Sequence, residues 1–383
     1  MKTPSYPQFR PRRLRRTALL RQAVADVTLS PDNLIMPLFV TGGDQARPVE
    51  SMPGVSQLPV SAALQTIQEL STAGLRQFLL FGVTPAAKKD ATGSFAADAQ
   101  APVNRLLAEV RRAGLDVLMY ADLCFCEYTD HGHCGVLEEG AEREERGTKN
   151  EERGAIPAKL EDEHGRALDS HGRALDSHGR AWVPPNQKSG ISRATGFTVD
   201  NDRTLELLGS TAVAQARAGA DVVAPSGMMD GMVGAIRKAL DEAGYPHTAI
   251  LSYSVKFASH FYGPFREAGQ GGMKFGTRQD YQMDFRRSRE WRTELEQDLA
   301  EGADMVMVKP AAAYLDVIHQ VRQACAVPVV AYHVSGEYAM LYAAAQRGWL
   351  DLRQTALETT WAIRRAGADL IITYFAADLL EWL

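Results

Sequence analysis

Long apolar runs are missing from this chain, and cysteine is scarce. No stretch approaches the roughly 18 consecutive apolar residues of a membrane span, so no partner membrane is expected. The N-terminus carries arginines but lacks the apolar core of a signal peptide. Four cysteines in 383 residues are too few for a disulfide framework. Three of them, Cys124, Cys126 and Cys134, crowd into one short segment, which favours a metal site in a reducing cytoplasm. Excess positive charge is also absent: the net charge is −5, giving no reason to expect nucleic acid. Finally, no Gly-x-Gly-x-x-Gly turn follows the first β-rich run, which argues against a doubly wound dinucleotide-binding sheet.

What the chain does have is alternation. Short β-rich apolar runs recur at Leu34–Val40, Gln77–Val83, Asp116–Cys124, Asp221–Ser226, Ala249–Lys256, Met305–Pro310, Pro328–Ser335 and Leu370–Phe375. Helical periodicity lies between them, as at Val103–Ala113, Thr204–Ala218, Trp291–Ala300 and Thr355–Ala366. Gly74, Gly114, Gly219, Gly302 and Gly367 each stand shortly before a run, where a left-handed helix C-cap would turn the chain into a strand. Near-continuous apolar strands are buried on both faces, as in a parallel sheet covered by helices. Eight of them predict an α/β (β/α)8 TIM barrel spanning 31–383.

Two segments fall outside that pattern. Residues 1–30 carry Arg10-Pro11-Arg12-Arg13-Leu14-Arg15-Arg16, an arm too short for a core of its own. Packing on a neighbouring subunit suits it better than contact with nucleic acid. Residues 138–195 hold two copies of His-Gly-Arg-Ala-Leu-Asp-Ser, from His164 and His171, and a broken copy from His178. Without regularly spaced large apolar residues this polar insert cannot offset the entropy of ordering, so it is expected to be mobile. A repeat expansion explains its histidines better than metal binding does.

Reactive residues gather at the C-terminal strand ends, where barrels of this fold keep their active sites. Lys256 and Lys309 each close an apolar run. Desolvation and mutual repulsion push such a pair toward the free amine, which attacks carbonyl carbon to form a Schiff base. Cys124-Phe125-Cys126 followed by Cys134 offers three thiolates and an open fourth position, the pattern of catalytic zinc. Strand alternation would aim Cys124 and Cys126 to one side, with His131 and His133 as positioning groups in the same loop and Cys325 in the core. Arg266 and Arg278 flank the glycine-rich stretch Gly269–Gly276 and suit an acidic substrate. Ser335 and Tyr374 are hydroxyl donors for a second carboxylate.

These residues, with Arg10–Arg16, Ser51–Val55, Asp122–Gly135, Val199–Leu208, Ala224–Gly231, Tyr253–Arg266, Met307–Pro310, Tyr332–Met340 and Ile371–Tyr374, resemble the porphobilinogen synthase (5-aminolevulinate dehydratase) family. The likeness runs over nearly the whole barrel and leaves only 138–195 without a counterpart. It implies condensation of two 5-aminolevulinate molecules to porphobilinogen, with loss of two waters, in tetrapyrrole (heme) biosynthesis. By the same resemblance Lys309 is the main Schiff-base lysine and Lys256 its partner. Arg266 and Arg278 would grip one substrate carboxylate, Ser335 and Tyr374 the other. Cys124, Cys126 and Cys134 would hold catalytic zinc, Glu294 an allosteric magnesium, and the arm would assemble a homo-octamer. Gly227, Met232 and Thr277 depart from the family pattern, and the insert follows the cysteine loop where the family has its lid. Two other readings stand beside this one. A Schiff-base aldolase needs one lysine and no zinc, and an inactive scaffold would make no product.

Overall fold

The structure, a computed structural model, describes residues 10–138 and 198–383. The expectations for the 138–195 insert, its mobility and its histidines included, therefore lie outside the described residues apart from Glu138.

Eight strands close a parallel barrel. In chain order they are β1 (Leu34–Thr41), β4 (Gln77–Val83), β5 (Leu118–Leu123), β6 (Val222–Pro225), β7 (Ala249–Lys256), β8 (Met305–Lys309), β9 (Val329–His333) and β10 (Leu370–Thr373). Each pairs with the next, and β10 returns to β1 through Leu34↔Ile371 and Ile35↔Ile372. The predicted (β/α)8 barrel is what forms. Two short strands were not anticipated: β2 (Arg47–Pro48) and β3 (Ser56–Pro59) extend the sheet beyond β1.

Helices cover the outside: α2 (Val60–Thr72), α3 (Pro102–Arg112), α4 (Asn201–Ala218), α5 (Met232–Glu242), α7 (Glu290–Ala300), α8 (Leu315–Ala324), α9 (Ser335–Gln346), α10 (Leu352–Ala366) and α11 (Ala376–Trp382). A short α6 (Gly263–Ala268) follows β7. The arm forms a 3-10 turn at Pro11–Arg15 and α1 (Ala18–Ala23), with no buried residue in either.

The glycine hinges work as read. Gly74, Gly114, Gly219, Gly302 and Gly367 all have positive φ, a region closed to most side chains. Three of them open a Gly-Ala-Asp triplet whose carboxylate serves the barrel floor. Asp221 accepts from the Met119 amide, Asp304 from Ile250 and Asp369 from Val329, each at 2.8 Å. A carboxylate just before one strand thus satisfies an amide at the start of its neighbour, which fixes the relative register of the two.

The upper rim depends on one close approach. A Cβ on Gly336 would collide with the backbone of Phe261, at its carbonyl oxygen and Cα, so the first turn of α9 can sit on the segment before α6 only through glycine. Gly336→Ala is expected to destabilise the fold by about 2 kcal/mol, read as a lower urea midpoint at unchanged slope.

Candidate active site

The β7–β8 pair ends with Val255↔Val308 and Lys256↔Lys309 in register. Register partners on neighbouring parallel strands project to the same face, so the two lysines enter the barrel side by side. They are 4% and 6% exposed. Lys256 Nζ donates to the Ser226 carbonyl. Lys309 Nζ lies in an aromatic cage, 4.3 Å from the Tyr332 ring centre, 5.0 Å from Tyr253, 5.2 Å from Tyr262 and 5.3 Å from Phe265. Burial first, and the Lys256 charge second, pull the Lys309 amine down to about 7. Its backbone is held as well: the Lys309 carbonyl accepts from the Phe257 amide at 3.0 Å and from the Tyr262 hydroxyl at 3.2 Å.

Strand β5 ends at Leu123, so Cys124 and Cys126 are not alternate strand residues. They occupy the turn that follows, where Cys124 Sγ and Cys126 Sγ approach to 3.3 Å. Cys134 returns to them, and the three sulfurs lie within 4.8 Å of one another, all buried. Cys126 also donates to Glu127 at 3.0 Å. Soft, clustered, buried thiols fit a metal ion that prefers sulfur. His131 and His133 stay outside the cluster: His133 Nε2 contacts the Phe275 carbonyl at 3.0 Å and His131 Nε2 the Ala91 carbonyl at 3.2 Å. Both fix loops. Cys325 is half-buried at the end of α8, packed against the core.

The glycine-rich stretch lies directly on the cysteine loop. A Cβ on Gly132 would meet the Gly272 carbonyl at 2.5 Å, and Gly132 has φ +78°, so both conformation and space demand glycine there. Arg278 joins the two loops, donating to the carbonyls of Gly132 at 3.1 Å and Gly271 at 3.0 Å. Arg266 stands exposed at the mouth, on α6.

One cavity of about 20 Å³ collects Cys124, Cys126, Lys256, Lys309, Arg266 and Arg278 on its wall. Ser335 and Tyr374 are not among the residues that line it. Ser335, past the end of β9 and first in α9, accepts from the Phe265 amide at 3.0 Å. Tyr374, just past β10, shares a 3.0 Å hydrogen bond with the Tyr332 hydroxyl. Glu294 lies elsewhere, in a polar pocket with Asp230, Asp280 and Glu290. Burial and the charges of Asp230, Asp298, Glu290 and Glu301 raise its carboxyl to about 7. Among the described residues the cysteine triplet is the one group of three with metal-binding spacing, and Glu294 belongs to no such group.

Sequence reasoning missed Asp122, which lines the same cavity. Burial and Glu127 raise its carboxyl to about 7 against the pull of both lysines. Its Oδ2 accepts from Ser226 Oγ at 3.3 Å. The Tyr253 hydroxyl faces the same carboxylate and favours its charged form. The signal was present: a carboxylate inside an apolar strand-end run, the same cue that marked the lysines. Of the three departures, Gly227 leaves ordinary space for a Cβ, which would lie nearest the Cys134 carbonyl at 3.5 Å. Met232 is buried at the start of α5, and Thr277 accepts from the Gln279 amide at 3.4 Å.

The sequence model of the delta-aminolevulinic acid dehydratase family matches residues 8–158 and 185–382. The chain belongs to this family. The unmatched piece, 159–184, is narrower than the 138–195 insert and contains all three heptapeptide copies. Delta-aminolevulinic acid dehydratases of Synechococcus elongatus and Mycobacterium tuberculosis are 43% and 42% identical to it. The first alignment covers 99% of each chain, the second 100% of each. A solved delta-aminolevulinic acid dehydratase (porphobilinogen synthase) of Toxoplasma gondii, in complex with the reaction product porphobilinogen, is 37% identical with a TM-score of 0.80. That match covers 98% of this chain and 92% of the other. The family assignment makes the chain an enzyme and disfavours both the aldolase and the scaffold readings. No helix among the described residues is long and apolar enough to cross a membrane.

Proposed function

We propose that the enzyme condenses two 5-aminolevulinate molecules into porphobilinogen with release of two waters, supplying tetrapyrrole synthesis in the cytoplasm. The observation that carries this reading is the register pair Lys256↔Lys309, two buried lysines side by side over one cavity. Two identical keto acids need two carbonyl-directed groups and two carboxylate holders, and the family resemblance supplies a residue for each role.

In this reading the Lys309 amine adds to the ketone carbon of one substrate. Proton transfer and loss of the carbonyl oxygen as water leave an imine. Lys256 serves the second carbonyl in the same way or orients it. Asp122, held near neutrality between acid and base, takes or returns a proton beside both amines. Arg266 and Arg278 fork onto one substrate carboxylate, and Ser335 and Tyr374 hold the other. Holding both molecules together replaces a bimolecular encounter with an intramolecular step. Cys124, Cys126 and Cys134 would hold zinc, which when bound polarises a carbonyl or amine of the second substrate. Magnesium would sit at Glu294, where a raised carboxyl among other acids gains from a cation.

The cavity has room for about one water molecule, so substrate entry requires the mouth carrying Phe265, Arg266 and Gly269–Gly276 to move outward. The exposed arm supports assembly into an octamer: Leu14, Leu19 and Val24 are 54%, 76% and 50% exposed, and a neighbouring copy would cover them. Sedimentation of the full chain against one lacking residues 1–30 tests that part, with a smaller assembly expected for the truncation.

The test of function is colorimetric detection of porphobilinogen from 5-aminolevulinate, with zinc added or chelated. Product that depends on zinc supports the whole reading. No product from folded protein under either condition overturns it. The pH dependence is also set: kcat/KM should rise as pH passes upward through about 7, because the Lys309 amine loses its proton there. A profile flat from pH 6 to 8 would contradict a rate limited by that amine.

A further inference from the structure

One buried carboxylate near the site has no part in the chemistry above. Glu337, 1% exposed, lies in the first turn of α9. Its Oε1 accepts from the Ala312 amide at 2.8 Å and the Ala313 amide at 3.3 Å. Its Oε2 accepts from the Val334 amide at 2.9 Å. The two oxygens therefore face two different loops. Ala312 and Ala313 follow Lys309 by three and four residues, in the turn past the end of β8. Val334 precedes Ser335 and is the N-cap of α9.

Burying a carboxylate is costly unless its oxygens are satisfied, and here they are satisfied by backbone alone. Helix capping accounts for the Val334 half. It gives no reason for the other oxygen to reach across to the β8 turn. That second half is what links the site. Ser335, held by the cap, accepts from the Phe265 amide at 3.0 Å and donates to the Phe261 carbonyl at 3.3 Å. Phe265 is a wall of the Lys309 cage, and the next residue is Arg266. On the far side the Lys309 carbonyl is fixed by Phe257 and Tyr262.

We infer that Glu337 is a positioning residue whose bidentate carboxylate ties the strand end carrying Lys309 to the helix end carrying Ser335, holding the imine-forming amine in line with the substrate clamps. This role rests on the condensation proposed above. Only a carboxylate can do this. A glutamine of the same shape has one acceptor oxygen, and its NH2 group would face an N–H donor, so one of the two loops is released. Aspartate keeps both oxygens but is one methylene too short to span Ala312 and Val334 together.

The test uses full-length zinc-loaded protein as wild type, Glu337→Gln and Glu337→Asp. Three things are measured: kcat and KM for 5-aminolevulinate, the rate at which borohydride with substrate labels Lys309 (read by peptide mass), and the thermal midpoint. Wild-type product formation establishes the reaction itself. Its absence would fail that reading and leave the labelling rates to judge Glu337. A misplacement on the ångström scale can cost about 100-fold. Both variants are expected to lose at least tenfold in kcat and in labelling rate per folded molecule. KM should change by a smaller factor than kcat, because Ser335 is the one clamp that Glu337 holds directly. Wild-type kcat and labelling in folded Glu337→Gln would overturn the inference. So would a loss that merely follows the folded fraction. Should Glu337→Gln fail to fold, Glu337→Asp carries the same expectation, and full activity in it has the same consequence.

Discussion

Lys309→Met should abolish porphobilinogen formation, with kcat down at least about 1000-fold, the scale expected when a covalent nucleophile is removed. Borohydride treatment with substrate should then leave no adduct at position 309. The folded protein should survive, and the sign of its stability change follows from the amine's surroundings. The Lys309 value falls from 10.5 unfolded to about 7 folded, so between those limits the unfolded chain binds more protons. Stability therefore rises with pH across that window. Below about 7 both states are protonated and the whole penalty of the buried charge applies, about 1.4 kcal/mol for each unit of depression. Methionine removes the charge and fills similar space. The thermal midpoint of Lys309→Met should thus equal or exceed that of wild type, with a larger gain at pH 6 than at pH 9. An inactive variant that is also less stable at pH 6 would mean that the ammonium is a structural ion. Residual activity above a few per cent would transfer the nucleophile's role to Lys256. The companion variant Lys256→Met separates those cases by losing product while retaining the adduct at 309.

Much of this site could be read from the residues because barrel geometry converts chain position into spatial position. A charged residue ending an apolar run must lie at the rim, and two such runs on adjacent strands must bring Lys256 and Lys309 together. The register pair shows that logic working. The cysteines came together for a different reason than alternation: β5 stops at Leu123, and a turn, not a pleat, brings the sulfurs within reach. Ser335 likewise begins a helix instead of ending a strand. The first difference leaves the cysteines together, because the residues just past a strand end lie at the same rim, whereas Ser335 does not line the cavity that Cys124 and Cys126 share with the lysines.

What stayed hidden was whatever depends on pairing across elements. Nothing local distinguishes Glu337 from a surface helix residue, because its partners Ala312 and Ala313 stand more than twenty residues away in sequence. The Gly-Ala-Asp triplets showed their glycines, since a left-handed cap is a local requirement, while the role of Asp221, Asp304 and Asp369 required knowing which strand lay alongside. The short β2 and β3 carry too few residues to show any period. Gly132 and Gly272 look like ordinary loop glycines until the two loops are seen to touch.

Removing the metal is expected to have the second large effect. The protein should bind about one zinc per chain, and chelation or Cys134→Ala should lower kcat at least 100-fold, while Lys309 still forms its adduct with the first substrate. The argument begins with the donors. Three sulfurs within 4.8 Å suit zinc, whose bonds to sulfur are about 2.3 Å, and offer little to magnesium, a hard cation that takes oxygen ligands. An ion held by these three sulfurs alone would keep a fourth position for substrate or water, as a catalytic and not a purely structural ion does, and Cys124 and Cys126 line the same cavity as both lysines. Arg278 sharpens the point. It bridges Gly132 in the cysteine loop and Gly271 in the glycine-rich loop, so an ion seated on the cysteines would also organise the loops that carry the proposed substrate clamp. Loss of the ion should therefore raise KM as well as lower kcat. Cobalt offers an independent readout, since thiolate ligation gives intense near-ultraviolet charge-transfer absorption that oxygen ligands do not. Cobalt-loaded wild type should show it, Cys134→Ala should lose most of it, and Glu294→Gln should leave it unchanged. Full activity in protein stripped of zinc and supplied only with magnesium would refute the assignment of the triplet as the catalytic metal site.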